Sequence, residues 1–182
     1  MPRLFTGLEI PPEIGAALAL KRGALRGSRW IDPSDYHITL RFLGDVEVEV
    51  AEALHEALVA ARPRASFSVT LDGLASFGGD RPRAILATVV PSPELLDLQA
   101  EQERLARQAG AEPERRKFTP HVTLARLRRE AGPEDVAAYL GERGLFTPLT
   151  VPVERVALFS ARESKGGGPY VVEAAYPLGS DQ

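Results

Sequence analysis

The sequence predicts an α+β fold built on a mixed or antiparallel sheet. Helical and strand patterns alternate along the 182 residues, and several strand segments are separated by only a short turn, which favours antiparallel pairing. A four-residue motif, His-x-Thr-Leu, occurs once in each half of the chain, at 37–40 and at 121–124. We infer from this repeat an approximate two-fold relationship between the halves, and we expect residues 1–182 to form a single domain of two lobes.

The first half of the chain alternates strand and helix patterns. Residues 3–10 are rich in strand formers and end at Pro11-Pro12, where a helix can begin. Apolar residues at helical spacing then predict a helix at 13–25. The elements predicted after it are an extended piece with a turn at 30–33, a strand at 36–43, a helix at 46–61, a strand at 67–74, a turn at 77–82 and a strand at 84–90.

The second half repeats the alternation. A helix is predicted to begin at Ser92 or Pro93 and to end at Gly110, because glycine commonly follows a helix. A charged link at 112–117 leads to a strand at 119–127. The remaining predicted elements are a helix at 133–143 and a final strand pair at 149–160 and 170–176, with a glycine-rich loop between the two strands.

Composition excludes several classes of protein. The chain has no cysteine, so disulfides, thiolate catalysis and cysteine-ligated metal sites are excluded, and a cytoplasmic location is expected. No apolar run reaches the ~20 residues that span a bilayer, and the N-terminal stretch lacks the apolar core of a signal peptide. The formal net charge of −3 argues against coating of long nucleic acid, but it permits a local positive cleft for a phosphate or an RNA end.

The repeated motif places two polar groups on one face of each strand. Because side chains alternate along a strand, His37 and Thr39 share a face, and His121 and Thr123 share a face. Within each motif the two Cα atoms should lie about 6.6 Å apart, so both side chains can contact one small anion. If the two strands face each other across a cleft, that cleft contains two imidazoles and two hydroxyls.

Such a set suits metal-free cleavage of a phosphodiester. Imidazole has an ordinary pKa of about 6.5, so one histidine can act as a general base while the other, protonated, acts as a general acid. The two threonine hydroxyls can donate hydrogen bonds to the phosphate oxygens. The third histidine, His55, falls in a predicted helix outside any repeat and is interpreted as a surface residue.

The two motifs and their flanks resemble the two-histidine (2H) phosphoesterase superfamily, whose signature is a pair of H-x-T-x motifs. The flanks are most similar to its RNA 2′,3′-cyclic phosphodiesterase branch, which is also named 2′-5′ RNA ligase or LigT-like. The flanking residues that carry this likeness are Trp30, Asp35-Tyr36, Phe42-Leu43-Gly44, Phe118-Thr119-Pro120, Ala125-Arg126, Leu158-Phe159-Ser160, Ser164 and Tyr170.

The resemblance implies two pseudo-symmetric sheets around a central groove and hydrolysis of an RNA 2′,3′-cyclic phosphate to a 2′-phosphate. It implies that His121 is the general base that activates water and that His37 is the general acid that protonates the departing 3′ oxygen. Thr39 and Thr123 would hold the phosphoryl oxygens. No metal or cofactor is implied. The expected partner is RNA with a 2′,3′-cyclic phosphate end, with no membrane association and a monomeric protein.

Five further residues are candidates for substrate binding. By strand alternation, Arg41 lies on the catalytic face of its strand, whereas Arg126 lies on the opposite face of its own unless a bulge or strand end turns it round. Arg116 belongs to a basic run just before the second motif. Phe42 and Tyr170 could stack on a base, although alternation assigns Phe42 to the packing face.

Other functions compete with cyclic-phosphate hydrolysis. The same four residues would serve the reverse reaction, in which a cyclic phosphate joins a 5′ hydroxyl through a 2′-5′ bond. A non-catalytic nucleotide- or RNA-binding module is a second alternative. A metallohydrolase is disfavoured, because neither motif supplies a third ligand at a suitable spacing.

Overall fold

The computed structural model describes residues 3–161 and 168–179, which form nine β-strands and four α-helices. The strands are β1 Arg3–Glu9, β2 Ser28–Trp30, β3 His37–Asp45, β4 Phe67–Phe77, β5 Ala84–Val89, β6 His121–Leu127, β7 Leu149–Val153, β8 Arg155–Ala161 and β9 Val171–Pro177. The helices are α1 Pro12–Ala19, α2 Val48–Val59, α3 Pro93–Gln108 and α4 Pro133–Arg143, with a 3₁₀ turn at Pro33–Asp35.

All the strands join in a single antiparallel sheet. The order is β7-β4-β5-β6-β3-β1-β8-β9, and β2 pairs with β6. One half contains β7, β4, β5, β6 and β2, and the other contains β3, β1, β8 and β9; the halves meet at β3 and β6, which share a single residue pair, Ile38 with Val122. The predicted α+β class with antiparallel pairing is therefore confirmed, and the two motif strands lie side by side at the centre of the sheet.

Each half of the sheet contains strands from both halves of the chain. The strand that follows α2, β4, crosses to pair with β5 in the other half, and β8 returns to pair with β1. The expectation of one strand at 149–160 is wrong, because the chain makes two strands there that lie in different halves. Glu154 and Arg155 are consecutive exposed residues, so the alternation of buried and exposed side chains breaks between Val153 and Val156. Pro152 lies in β7, an edge strand, where a residue without an N–H is tolerated.

The helices cover one face of the sheet and bury the main core. Ile38, Val122 and Leu124 are fully buried. They alternate with the histidines and threonines along the motif strands. They pack in one cluster with Leu95 and Leu98 of α3. At roughly 25 cal/mol per Å² of apolar surface, this burial supplies much of the stabilisation that holds the two motif strands in place. The opposite face carries His37 and His121, and we call it the groove face.

Most predicted helices end within a few residues of their expected bounds, and the exception is α1. It ends at Ala19 rather than at residue 25, because the next N–H groups bond to carbonyls three residues back and Leu20 is 77% exposed. Leu25 is buried as expected, but it lies in the irregular segment before β2. Among residues 3–161 and 168–179, every helix is too short or too polar to traverse a lipid bilayer.

Candidate active site

The two motif strands present equivalent residues in equivalent surroundings. Burial follows the same order over the first seven residues of β3 and of β6, beginning at His37 and at His121. In each strand the histidine and threonine are partly exposed toward the groove, while the residues between and after them are buried. The pairing of Ile38 with Val122 brings the two motifs together. The two histidines and two threonines therefore lie together on the groove face.

Each imidazole is oriented by a carbonyl two residues earlier in the chain. His37 Nδ1 lies 2.9 Å from the Asp35 carbonyl oxygen, and His121 Nδ1 lies 2.7 Å from that of Thr119. A carbonyl oxygen only accepts, so Nδ1 carries the hydrogen in both rings and Nε2 of each neutral ring is a proton acceptor. His37 Nε2 is 3.0 Å from Thr39 Oγ1, which donates to it.

Both histidines have lowered pKa values. The pKa of His37 is lowered to about 4, mainly by burial, with smaller contributions from Arg126 and from protonation of His121, and against the opposing effect of the hydrogen bond to Asp35. Burial also lowers the pKa of His121, with a smaller contribution from Arg126. Both rings are therefore neutral near pH 7, which suits a base. A general acid requires protonation, which a bound phosphate anion favours by raising the pKa.

Aromatic rings form the apolar walls that bury the histidines. The His37 ring centroid lies 4.7 Å from that of Phe5, 5.5 Å from that of Phe159 and 5.0 Å from that of Tyr170. The His121 ring meets Phe77 edge-on at 4.8 Å. Sequence reasoning assigned no site role to Phe5 or Phe77. The available signal is the alternation of β1 and β4, but the sequence does not show that β1 pairs with β3 or that β4 joins the sheet beside β5, the neighbour of β6.

Two β-bulges at equivalent positions change the direction of the side chains that follow the motifs. In β3, Thr6 of β1 pairs with Arg41 and Gly7 pairs with Thr39, so Leu40 is an extra residue. In β6 the register shifts in the same way at Leu124. Each bulge places two buried residues in succession and reverses the alternation beyond it. The face of the fifth and sixth strand residues is therefore opposite to the one that simple alternation predicts.

Arg41 does not reach the groove, and its predicted placement on the catalytic face is wrong. Its side chain is 5% exposed and forms an ion pair with Glu103 of α3. It also donates hydrogen bonds to the carbonyl of Glu112 and, at 2.7 Å, to that of Phe42. The bulge at Leu40 explains the difference. Arg41 fastens β3 to α3 and to the loop after it.

Phe42 and Arg126 occupy the equivalent position after each bulge, and both face the groove. Phe42 is 38% exposed, pairs across the sheet with Phe5 and has the Arg3 guanidinium 5.4 Å from its ring centroid. Its assignment to the packing face is therefore wrong. Arg126 is exposed, and its positive charge acts on both histidines. The bulge at Leu124 turns the Arg126 side chain to the groove face, whereas simple alternation predicts the opposite face.

The other two candidates differ in their distance from the motifs. Tyr170 packs edge-on against His37, and its backbone N–H donates to Asp35 Oδ1 at 3.1 Å. Arg116 lies at the surface, where it forms an ion pair with Glu114 at 3.3 Å. Ser164, which contributes to the family likeness, lies outside the described residues. Within the part of the chain that is described, no group of three or more His, Asp or Glu side chains is placed to hold a metal ion.

The chain matches the model of the 2′-5′ RNA ligase superfamily over residues 11–165. The RNA 2′,3′-cyclic phosphodiesterase of Aeropyrum pernix is 33% identical over 142 residues, which cover 77% of this chain and 80% of that protein. The protein of the same name from Thermotoga maritima is 30% identical over 178 residues, covering 93% and 92% of the two chains.

Solved structures have the same fold. A crystal structure of a Thermus thermophilus protein superposes with a TM-score of 0.77 at 28% identity and covers 97% of each chain. Escherichia coli LigT complexed with 3′-AMP superposes with a TM-score of 0.77 at 23% identity, covering 98% of this chain and 99% of LigT. Together with the paired H-x-T-x motifs, the match over most of the sequence establishes that this chain is a member of the 2′-5′ RNA ligase superfamily, as its resemblance to two-histidine phosphoesterases predicts.

Proposed function

We propose that the protein is a metal-independent hydrolase that opens the 2′,3′-cyclic phosphate at an RNA 3′ end and leaves a 2′-phosphate. The observation that carries the proposal is the pair of histidines on one face of the sheet, each held through Nδ1 by a carbonyl so that Nε2 is the proton-accepting atom of each ring. The names of the relatives, RNA 2′,3′-cyclic phosphodiesterases, support the same substrate.

The two histidines have complementary roles in this reaction. His121 Nε2 takes a proton from a water molecule, whose oxygen forms a bond to phosphorus. The bond from phosphorus to the 3′ oxygen breaks, and His37 gives its proton to that oxygen. The low pKa of His37 favours its neutral form, and the negative charge of the substrate phosphate favours its protonated form. The product keeps the phosphate on the 2′ oxygen.

The two threonines stabilise the charge that develops on the phosphoryl oxygens. Thr39 and Thr123 lie two residues after the histidines on the same strand faces, and Thr39 Oγ1 is 3.0 Å from His37 Nε2. Preorganised donors of this kind typically contribute about 10²–10³-fold to a rate. Arg126 adds a positive charge on the groove face, and Phe42 and Tyr170 offer aromatic surfaces for a base.

Nucleotide ligands of a related protein support a groove for phosphates. Escherichia coli LigT has been solved in complexes with 3′-AMP and with phosphate. We propose that the groove of this chain takes the same chemical class, a nucleoside with a phosphate on its ribose. We further propose that the protein works in the cytoplasm and that it is a monomer. Sedimentation of the purified protein at micromolar concentration would test the monomeric state.

Turnover of a nucleoside 2′,3′-cyclic phosphate, with identification of the product, tests the proposal. His37→Ala and His121→Ala should each remove nearly all activity. His55→Ala is the matched control, because His55 lies in α2 and bonds to Tyr176 rather than lining the groove. A folded His37→Ala or His121→Ala protein with the wild-type rate would reject the mechanism. A 3′-phosphate product would exchange the roles of the two histidines, and loss of turnover in EDTA would favour the metallohydrolase.

Ligation is the second candidate, and the superfamily to which the chain belongs is named for it. A 5′ hydroxyl in place of water would attack the same phosphorus and form a 2′-5′ bond. Incubation of cyclic-phosphate RNA with and without a 5′-hydroxyl RNA, followed by product analysis, separates the two reactions. Tight binding without any turnover would instead indicate a binding module.

A further inference from the structure

Three segments that are distant in sequence meet beside the groove, and all three are rich in arginine. Arg29 of β2 pairs across the sheet with Arg126 of β6, and Arg126 pairs on its other side with Ala84 of β5. The Arg83 carbonyl accepts a hydrogen bond from the Leu127 N–H at 2.9 Å. We define the arginine cluster as Arg26, Arg29, Arg81, Arg83, Arg126, Arg128 and Arg129.

The cluster is a local excess of positive charge on an acidic protein. The three segments, 26–30, 77–84 and 125–130, contain seven arginines and only two acidic residues, Asp80 and Glu130, while the whole chain has a net charge of −3. Neighbouring positive charges repel one another, so the cluster does not stabilise the fold by itself. A bound polyanion would relieve this repulsion.

Most members of the cluster are not engaged by carboxylates. Six of them, all except Arg29, are exposed. Within residues 3–161 and 168–179, no ion pair involves Arg26, Arg81, Arg83, Arg126, Arg128 or Arg129. Arginines elsewhere in the fold differ, since Arg64 pairs with Asp97 and Glu101, and Arg155 pairs with Glu9.

The cluster is continuous with the catalytic groove. Arg126 belongs to it and also lowers the pKa of both histidines. Phe77, which begins the hairpin tip that carries Arg81 and Arg83, contacts His121 edge-on. The other flank of the groove has a different character, because Arg155 is neutralised there by Glu9 and Asp35 adds a carboxylate. Among the described residues, the positive charge of the cluster therefore leads away from the histidines along the side of the groove formed by β2, β6 and the β4–β5 hairpin.

We propose that the arginine cluster binds the phosphodiester backbone of the RNA strand that leads to the cyclic phosphate. This inference rests on the proposed function and extends it, since it makes the preferred substrate a polynucleotide end rather than a free nucleoside cyclic phosphate. Backbone phosphates are recognised mainly by charge, and each one neutralised on a single strand contributes about 0.7 to the slope of log affinity against log salt.

Two double variants test the proposal against a matched control. Arg81→Gln with Arg83→Gln, and Arg128→Gln with Arg129→Gln, each remove two charges from the cluster and leave Arg126 in place. The control is Arg62→Gln with Arg104→Gln, whose side chains are 68% and 61% exposed on the side of the sheet covered by helices. All three proteins change net charge by the same amount.

The measurement is kcat/KM for a ten-nucleotide RNA with a cyclic phosphate end and for the corresponding nucleoside 2′,3′-cyclic phosphate, from 50 to 300 mM salt. Each cluster variant should lose roughly tenfold on the RNA, with a salt slope smaller by about 1.4, and nothing on the nucleoside. The control should match wild type on both substrates. An equal loss in the control, a loss on both substrates, or no loss on RNA would overturn the proposal.

A binding measurement separates failure of this inference from failure of the proposed function. Fluorescence anisotropy with the same RNA ending in a 3′-phosphate reports affinity without turnover. If wild type hydrolyses neither substrate, the proposed function is rejected. The cluster is then tested by affinity alone, and it is supported only if both cluster variants bind the RNA more weakly than wild type and the control do.

Discussion

The backbone N–H of Tyr170 donates a hydrogen bond to the Asp35 carboxylate at 3.1 Å, across 135 residues of sequence. The carbonyl of Asp35 orients the His37 imidazole, and the Tyr170 ring covers the same imidazole edge-on at 5.0 Å. A side chain at Gly168 would collide with the other carboxylate oxygen of Asp35. Asp35 thus connects the orientation of His37 to the chain segment that enters β9, and Tyr170 contributes to the burial that lowers the pKa of His37.

Asp35→Ala should raise the pKa of His37 from about 4 toward its ordinary value of 6.5. Without the carboxylate, Tyr170 loses its anchor, and the imidazole becomes less buried. Asn keeps an acceptor oxygen, so Asp35→Asn should retain the low pKa. NMR titration of the histidine ring signals measures both variants, with His121 as an internal reference that should not move. An unchanged His37 pKa in Asp35→Ala would show that Tyr170 is held by other contacts.

Arg126→Gln should raise the pKa of both histidines, because the Arg126 charge disfavours their protonation. A base is active only when it is unprotonated. The acidic limb of the pH profile of kcat/KM should therefore move to higher pH in this variant, since His121 becomes protonated at a higher pH. Arg126→Lys keeps the charge and should retain the wild-type profile.

The pH profile separates this electrostatic effect from simple loss of substrate contact. If Arg126→Gln lowers kcat/KM equally at all pH values, Arg126 acts on the substrate without tuning the histidines. A shift of the limb together with a higher KM would indicate that it does both, since a guanidinium on the groove face also attracts the phosphate.

Strand alternation correctly places the four residues of each motif, but it fails at the two residues that follow. His37, Ile38 and Thr39 lie on the predicted faces, whereas Arg41 and Phe42 have exchanged theirs. A bulge depends on the register with a neighbouring strand, and β1 pairs with β3 only through tertiary structure. No local pattern in the sequence reports that register.

For a related reason, the sequence does not predict that β7 and β8 join different halves of the sheet. Val151, Val153 and Val156 are all buried, and only the succession of Glu154 and Arg155 marks the point where one strand ends and the next begins. Sequence periodicity identifies β7 and β8 as strand material, but it does not say which half of the sheet each joins. The two histidines can be identified from the sequence because they belong to a repeated motif. A repeat is visible without any knowledge of strand pairing.

Arg41→Ala should destabilise the fold by about 3 kcal/mol, because it leaves the Glu103 carboxylate partly buried beside an unfilled space. Activity per folded molecule should change little, since Arg41 lies on the helix-covered side of the sheet. Urea unfolding gives the stability, and turnover at 15 °C in native buffer gives the activity. Glu103→Gln is the companion variant and should also destabilise. A stable Arg41→Ala protein with a raised KM would instead show that Arg41 binds the substrate.

We propose that residues 1–182 unfold as one domain, because each half of the sheet depends on strands from the other half of the chain. Removal of β4 from β5, or of β8 from β1, would expose buried residues in both halves, including Leu71 and Val156. Urea unfolding should therefore give one transition with the same midpoint by far-UV circular dichroism and by fluorescence of Trp30, the single tryptophan, which packs against Tyr139. Midpoints that differ between the two probes would show that the lobes unfold separately. The cluster variant Arg128→Gln with Arg129→Gln serves as a control, because exposed arginines should leave that midpoint nearly unchanged.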